Sequence, residues 1–211
     1  VGSWHAKFIR YMLPIIPALL FLAGVTLENL KNNKWRFCLT TVLVLSSLLW
    51  SLAFFSIFQR PSTRLVASDW IYQQVPNGSS ILTEHWDNGL PSTSRPDIKY
   101  QKLELNPYDE DNPEKISILT ENLAAGDYLF IASRRLYGSI ARNEQYPYTQ
   151  NYYRLLFAGE LGYQKVAQFS SYPQLFGLSI NDDQTEETFQ VFDHPTVMIW
   201  QNVGRLSQQE M

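Results

Sequence analysis

FCLTTVLVLSSLLWSLAFFSIF, residues 37–58, runs for 22 positions without a charge. As a helix it reaches about 33 Å, enough to cross the hydrocarbon core of a bilayer. A second apolar run, YMLPIIPALLFLAGVTL at 11–27, precedes it across a polar, basic link at 28–36. Everything after Gln59 has the composition of a water-facing domain. The sequence thus predicts a membrane part over 1–60, with helices at about 11–27 and 37–58, and a soluble domain over 61–211.

Charge divides the chain at the same place. Residues 1–60 hold Lys7, Arg10, Lys31, Lys34, Arg36 and Arg60 against Glu28 alone, a net +5, and the rest carries −8 of the overall −3. An acidic soluble part excludes a nucleic-acid role, which needs clustered Lys and Arg for phosphate contacts. Cys38 is the single cysteine and lies in the apolar run, so no intrachain disulfide forms. Two prolines in the first run, the missing small-x-small cleavage site and the second span argue against a signal peptide. The first residue, Val1, reads as the start of a fragment. Lys31, Lys34 and Arg36 place the link in the cytoplasm by the positive-inside bias. Residues 61–211 then face the extracytoplasmic side, although His5, Lys7, Arg10, Arg60 and Arg64 pull the other way.

The soluble part alternates helix and strand signals. Residues 65–75 form an amphipathic helix pattern stopped by Pro76-Asn77-Gly78, and 79–84 and 98–105 read as strands. Asn112-Pro113 opens a helix through Ala125, and YLFIAS at 128–133 is the clearest buried strand. A helix over 152–161, a strand over 164–169 and two closing strands at 189–192 and 196–200 complete the pattern. The expected fold class is two transmembrane α-helices followed by an α/β domain. Its sheet is three-layer-like and largely parallel, with an antiparallel C-terminal edge.

KFIRYMLPIIPAL at 7–19 resembles a segment of the family 39 glycosyltransferases. These are polytopic membrane enzymes related to protein O-mannosyltransferases and to the aminoarabinose transferases that modify lipid A. EHWDNGLP (84–91), DYLFIASRRLYGSIAR (127–142), YPYTQNYYRLLFAGELGY (146–163) and EETFQVFDHPTVMIW (186–200) are similar to pieces of the C-terminal extension of such enzymes. The resemblance implies a cell-membrane, multi-pass enzyme that moves a sugar from a polyprenyl-phosphate carrier to an extracytoplasmic glycan, lipid or protein acceptor. It implies that the catalytic carboxylate lies in an upstream part absent from this chain. It also implies a donor-phosphate contact for Tyr11.

Arg10 and Tyr11 sit where the first span leaves the interface. A guanidinium offers a forked pair of donors and a phenol one hydroxyl, suited to a lipid phosphate. Both residue types also anchor at headgroup depth without binding anything. Glu84, His85, Trp86 and Asp87 end a predicted parallel strand, where open α/β sheets hold ligands. They can grip an acceptor sugar by hydrogen bonds and stacking, or form only a strand end running into an Asx-Gly turn. Arg134, Arg135, Tyr137 and Arg142 follow the strongest strand and suit an anionic acceptor group, or pair with nearby acids. Tyr146–Tyr153 reads as a stacking wall or a helix core face, and Asp193-His194-Pro195 as a turn. His5, His85 and His194 show no paired metal-ligand spacing, and no cofactor is implied. A membrane-tethered binding or cell-envelope module without catalysis is the alternative function.

Overall fold

In the computed structural model of the chain, a 3-10 segment, Ile9–Ile15, leads into helix α1, Ile16–Glu28. The structure describes residues 9–140 and 144–211, the side chains of Ile9 and Arg10 excepted. Pro17 lies in the first turn of α1, where its missing N–H removes no intrahelical bond. Helix α2, Asn33–Phe58, begins four residues before the apolar run because Asn32 caps it. The Asn32 side chain accepts from the backbone N–H groups of Lys34 (2.9 Å) and Trp35 (3.4 Å). The expected link at 28–36 therefore shrinks to 29–32, and Lys34 and Arg36 ride on the helix.

Four hydroxyls within these helices bond back to their own helix. Thr26 donates to the Leu22 carbonyl, Ser46 to Leu43, Ser51 to Ser47 and Ser56 to Ala53. Such back-bonding lets Ser and Thr sit in an apolar helix without an orphan donor. The helical stretch Tyr11–Glu28 and helix α2 are long and apolar enough to cross a membrane, and most of their leucines and phenylalanines are exposed.

The α/β unit opens with α3, Thr63–Gln74, followed by β1, Ser80–Glu84, and β2, Gln101–Leu105. Helix α4, Pro113–Ala125, has Asn112 as its cap, and its end leads into β3, Tyr128–Ile131. Helix α5 spans Pro147–Ala158 rather than 152–161. Pro147 favours the first turn, and Gly159, at φ 77, supplies the left-handed residue that ends the helix. Strand β4 is Tyr163–Phe169.

The chain then leaves the sheet. Tyr172–Phe189 belongs with 1–60 in one compact unit, while 61–171 and 190–211 form the other. The expected boundary at residue 60 is one of the divisions, with Tyr172–Phe189 set apart from the rest of 61–211. The segment contains a short hairpin, β5 (Gln174–Leu175) and β6 (Leu178–Ser179). No strand forms at 189–192; a helical turn, α6 (Glu187–Gln190), stands there instead. Four residues are too few for alternation to separate strand from helix. Strand β7, Val197–Asn202, returns to the sheet.

The five strands run in the order β2-β1-β3-β7-β4. β2, β1 and β3 are parallel, and β7 is antiparallel to both β3 and β4. The antiparallel pairing lies where it was expected in kind, but the C-terminal strand sits inside the sheet and β4 forms the edge. Side-chain alternation sends Leu82, Leu129, Ile131 and Trp200 to the face under α4 and α5. Ile81, Phe130, Val197 and Ile199 go to the face under α3. The unit is a three-layer α/β/α sandwich. Gly162 and Gly204 meet backbone to backbone, since a Cβ on Gly204 would stand 2.6 Å from the Gly162 Cα.

Candidate functional site

β1 and β3 end side by side, and the chain leaves them toward opposite faces. After β1 it passes under α3, burying Leu90 and packing the half-buried Tyr100 there; after β3 it leads to α5 on the other face. Diverging connections mark a topological switch point at the carboxyl ends of the two strands, the usual ligand position in an open α/β sheet. Trp86, Asp87, Ser133 and Arg135 meet there.

Asp87 Oδ1 accepts from the Ser133 hydroxyl (2.7 Å) and from the Asn88 N–H (2.8 Å). The Arg135 N–H donates to the same Ser133 oxygen (3.2 Å), and its guanidinium donates to the Trp86 carbonyl (2.8 Å). That guanidinium also lies 5.4 Å from the centre of the Phe192 ring. The loop holds Trp86 at φ 71, with its indole 65 % exposed. A non-glycine residue in the left-handed region is uncommon and costs energy, so the turn is held by its surroundings.

His85 continues the ladder through its N–H to the Leu105 carbonyl (2.7 Å), and its ring bonds Glu104 Oε1 (2.8 Å). Its ring stands edge-on to Trp86 at 4.9 Å. The pair presents an exposed aromatic step beside these strand ends.

Glu84 points the other way. It shares parity with Leu82, which places its carboxyl under α5, 3 % exposed. Oε1 accepts from Tyr153 (2.9 Å) and Tyr152 (3.2 Å). Burial pushes its pKa up to about 8, and the Asp87 charge adds to the rise against the two tyrosine bonds. Burial, with the charge of Glu84, also pushes Tyr152 and Tyr153 well above their ordinary range. Glu84 is therefore a neutral, buried acid at neutral pH rather than a sugar-binding carboxylate.

Arg64, in the first turn of α3, joins the cluster. Its guanidinium donates to the Val191 carbonyl (2.7 Å). Burial lowers its pKa, while Asp87 opposes and Arg135 reinforces the shift. Among the described residues, Arg64 Nε, Glu84 Oε2 and Asp87 Oδ2 are buried without a hydrogen-bond partner. With Glu84 neutral, Arg64, Arg135 and Asp87 leave this cluster with one net positive charge. The arrangement offers donors, one carboxylate and an aromatic step to a hydroxyl-rich or weakly anionic ligand.

Of the residues expected here, the structure brings together Trp86, Asp87 and Arg135, with His85 at the rim. Arg134 follows β3 directly and is half-buried. Tyr137 turns away: its ring packs 6.1 Å from Tyr153 and 5.3 Å from Phe157, in the aromatic layer under α5. The Tyr146–Tyr153 cluster is likewise core at Tyr152 and Tyr153, each buried. Tyr11 lies half-buried in the 3-10 segment; Arg142 and the Arg10 side chain lie outside the described residues. Arg64, Ser133 and Glu104 were not anticipated. Only Glu104 carried a signal, since parallel pairing of 80–84 with 101–105 sets it beside the end of β1. The chain matches no family model, no curated protein and no solved structure.

Proposed function

We propose that this chain is the C-terminal part of a membrane glycosyltransferase of the family 39 type. Its α/β unit lies on the extracytoplasmic side and engages the acceptor at the carboxyl ends of β1 and β3. The observation that carries the reading is one chain with two apolar helical stretches of membrane-crossing length, Tyr11–Glu28 and α2, and a strand-end polar cluster bearing an exposed indole. The sequence resemblance at 7–19 supports a polyprenyl-phosphate sugar as donor, with Arg10 and Tyr11 at its phosphate. The bond-making carboxylate belongs to the upstream part, so the strand-end cluster binds rather than catalyses.

A second reading, a membrane-tethered binding module, draws on Glu84. The Glu84 carboxyl, its pKa raised to about 8, is sealed under two tyrosines and is not presented to a ligand.

The deciding experiment is sugar transfer from a radiolabelled polyprenyl-phosphate donor by the full-length protein in proteoliposomes. Losing a stacked ring costs on the order of 1 kcal/mol, so Trp86→Ala should raise the acceptor KM roughly five- to tenfold with kcat little changed. Tyr11→Phe, by removing a hydrogen bond to a charged group, should raise the donor KM about ten- to a hundredfold. Binding without transfer would favour the tethered module; unchanged constants in both variants would remove the site assignments.

Orientation is tested separately on a Cys38→Ser background. A membrane-impermeant thiol reagent added to intact cells should label Gln209→Cys and miss Lys31→Cys. The reverse pattern overturns the orientation.

A further inference from the structure

The tip of the β5–β6 hairpin is built against local rules. Phe176 (φ 50) and Gly177 (φ 81) form a two-residue loop with both φ angles positive. Loops of this type favour Asn-Gly, because Asn tolerates the left-handed region and a bulky side chain does not. Phe176 gains no packing in return: it is 88 % exposed, and Leu178 beside it is 73 % exposed. From Tyr172 to Asn181 the segment has no charged residue. In water, each of these choices is unfavourable. Together they describe a surface meant for an apolar medium.

The hairpin is tied to the end of α2, within the same compact unit. The Gln174 N–H donates to Ser56 Oγ (2.8 Å), and the Arg60 guanidinium donates to the Tyr172 carbonyl. The Phe54 and Phe189 rings pack at 5.4 Å. Phe55 and Phe58, at the same end of α2, are 57 % and 58 % exposed. The exposed apolar surface of the helix thus continues onto the hairpin. Arg60 and Tyr172 lie at that junction, and both residue types favour the membrane–water interface.

We propose that the hairpin is a membrane-interface anchor. Phe176 and Leu178 insert among the lipid headgroups and first acyl carbons beside the C-terminal end of α2. The occupant is the bilayer rather than a protein partner, because the tip is fixed to a helix end whose own exposed face is of bilayer type and length. This inference rests on the reading of α2 as a spanning helix.

The test uses the full chain, on a Cys38→Ser background, in liposomes of phosphatidylethanolamine and phosphatidylglycerol. An environment-sensitive fluorophore is attached at Phe176→Cys, Leu178→Cys, Val44→Cys or Gln209→Cys. All four side chains are exposed, so the substitutions leave the packing unchanged. Emission at 176 and 178 should be blue-shifted and quenched several-fold more by lipids with a nitroxide near the headgroup than emission at 209. Emission at 44 should be quenched best by nitroxides deep in the acyl chains. Quenching at 44 with none at 176 and 178 overturns the hairpin anchor and leaves the spanning helix standing. Absence of quenching at 44 overturns the spanning helix and, with it, the anchor that rests on it. A protein crosslink from 176 without lipid quenching overturns the choice of occupant.

Discussion

Stability contributed by Glu84 should fall by about 5 kcal/mol as pH rises from 4.5 to 8, and Glu84→Gln should abolish that slope. The unfolded carboxyl ionises near 4.5, whereas in the fold burial holds it protonated up to about 8. Between those values unfolding releases a proton, so stability drops with pH. Below 4.5 both states are protonated and above 8 both are ionised, so the contribution is flat outside the window. At pH 7 about 3 kcal/mol has been lost. Gln keeps the acceptor for Tyr152 and Tyr153 but cannot ionise. Urea unfolding of the full chain in detergent, followed by tryptophan fluorescence across this range, gives the difference between the two proteins. That difference isolates Glu84 from the other carboxyl groups. Asp87→Asn should shift the midpoint of the decline downward, because the negative charge of Asp87 helps hold the Glu84 carboxyl protonated. A pH-independent difference between wild type and Glu84→Gln would show that the carboxyl is ionised in the fold.

Lys115→Met should destabilise the α/β unit by about 3–5 kcal/mol. The ammonium and Asp111 form a pair at 2.5 Å in which each side chain is 6 % exposed. Nζ also donates to the carbonyls of Pro107 (2.8 Å) and Asp109 (2.7 Å) and to Thr149 Oγ1 (2.8 Å). One amine thus ties the loop between β2 and α4 to the first turn of α5. Methionine fills much of the space but strands the Asp111 charge, which among the described residues then keeps the Tyr148 N–H at 2.6 Å. The cost is mostly that stranded charge, so Lys115→Met with Asp111→Asn should recover a large part of it. Equal losses in the single and double variants would place the cost in the severed loop contacts instead.

Much of this architecture is visible in the sequence because its signals are local. Asn112-Pro113 announces α4, the uncharged run announces α2, and YLFIAS announces β3, each through composition within a few residues. The strand-end cluster was legible to the same depth: a strand ending in EHWD must deliver those residues to a carboxyl edge. What each does there depends on parity and on distant partners. Glu84 follows Leu82 to the face under α5, and nothing near residue 84 says that tyrosines from that helix cover it. Arg64 reaches the cluster from the start of α3, a relation with no sequence spacing to betray it. The hairpin went unread because two-residue strands have no period, and its tip carries Phe where turn chemistry would place Asn. Where a local rule fails in that way, the reason lies in the surroundings.

The interruption between β4 and β7 also has a consequence for how the chain is made. Residues 80–169 supply four strands, yet β4 pairs with none of the other three, since its only neighbour is β7. Until residue 202 has been synthesised, β3 lacks its neighbour on one side and β4 has no partner among the strands already made. Bare edges invite pairing with other chains, and long-range pairing is slow to form. Meanwhile the helical unit has received its last segment by residue 189. The order of residues along the chain therefore imposes an order of availability, in which Tyr172–Phe189 can join the helical unit before β7 can close the sheet.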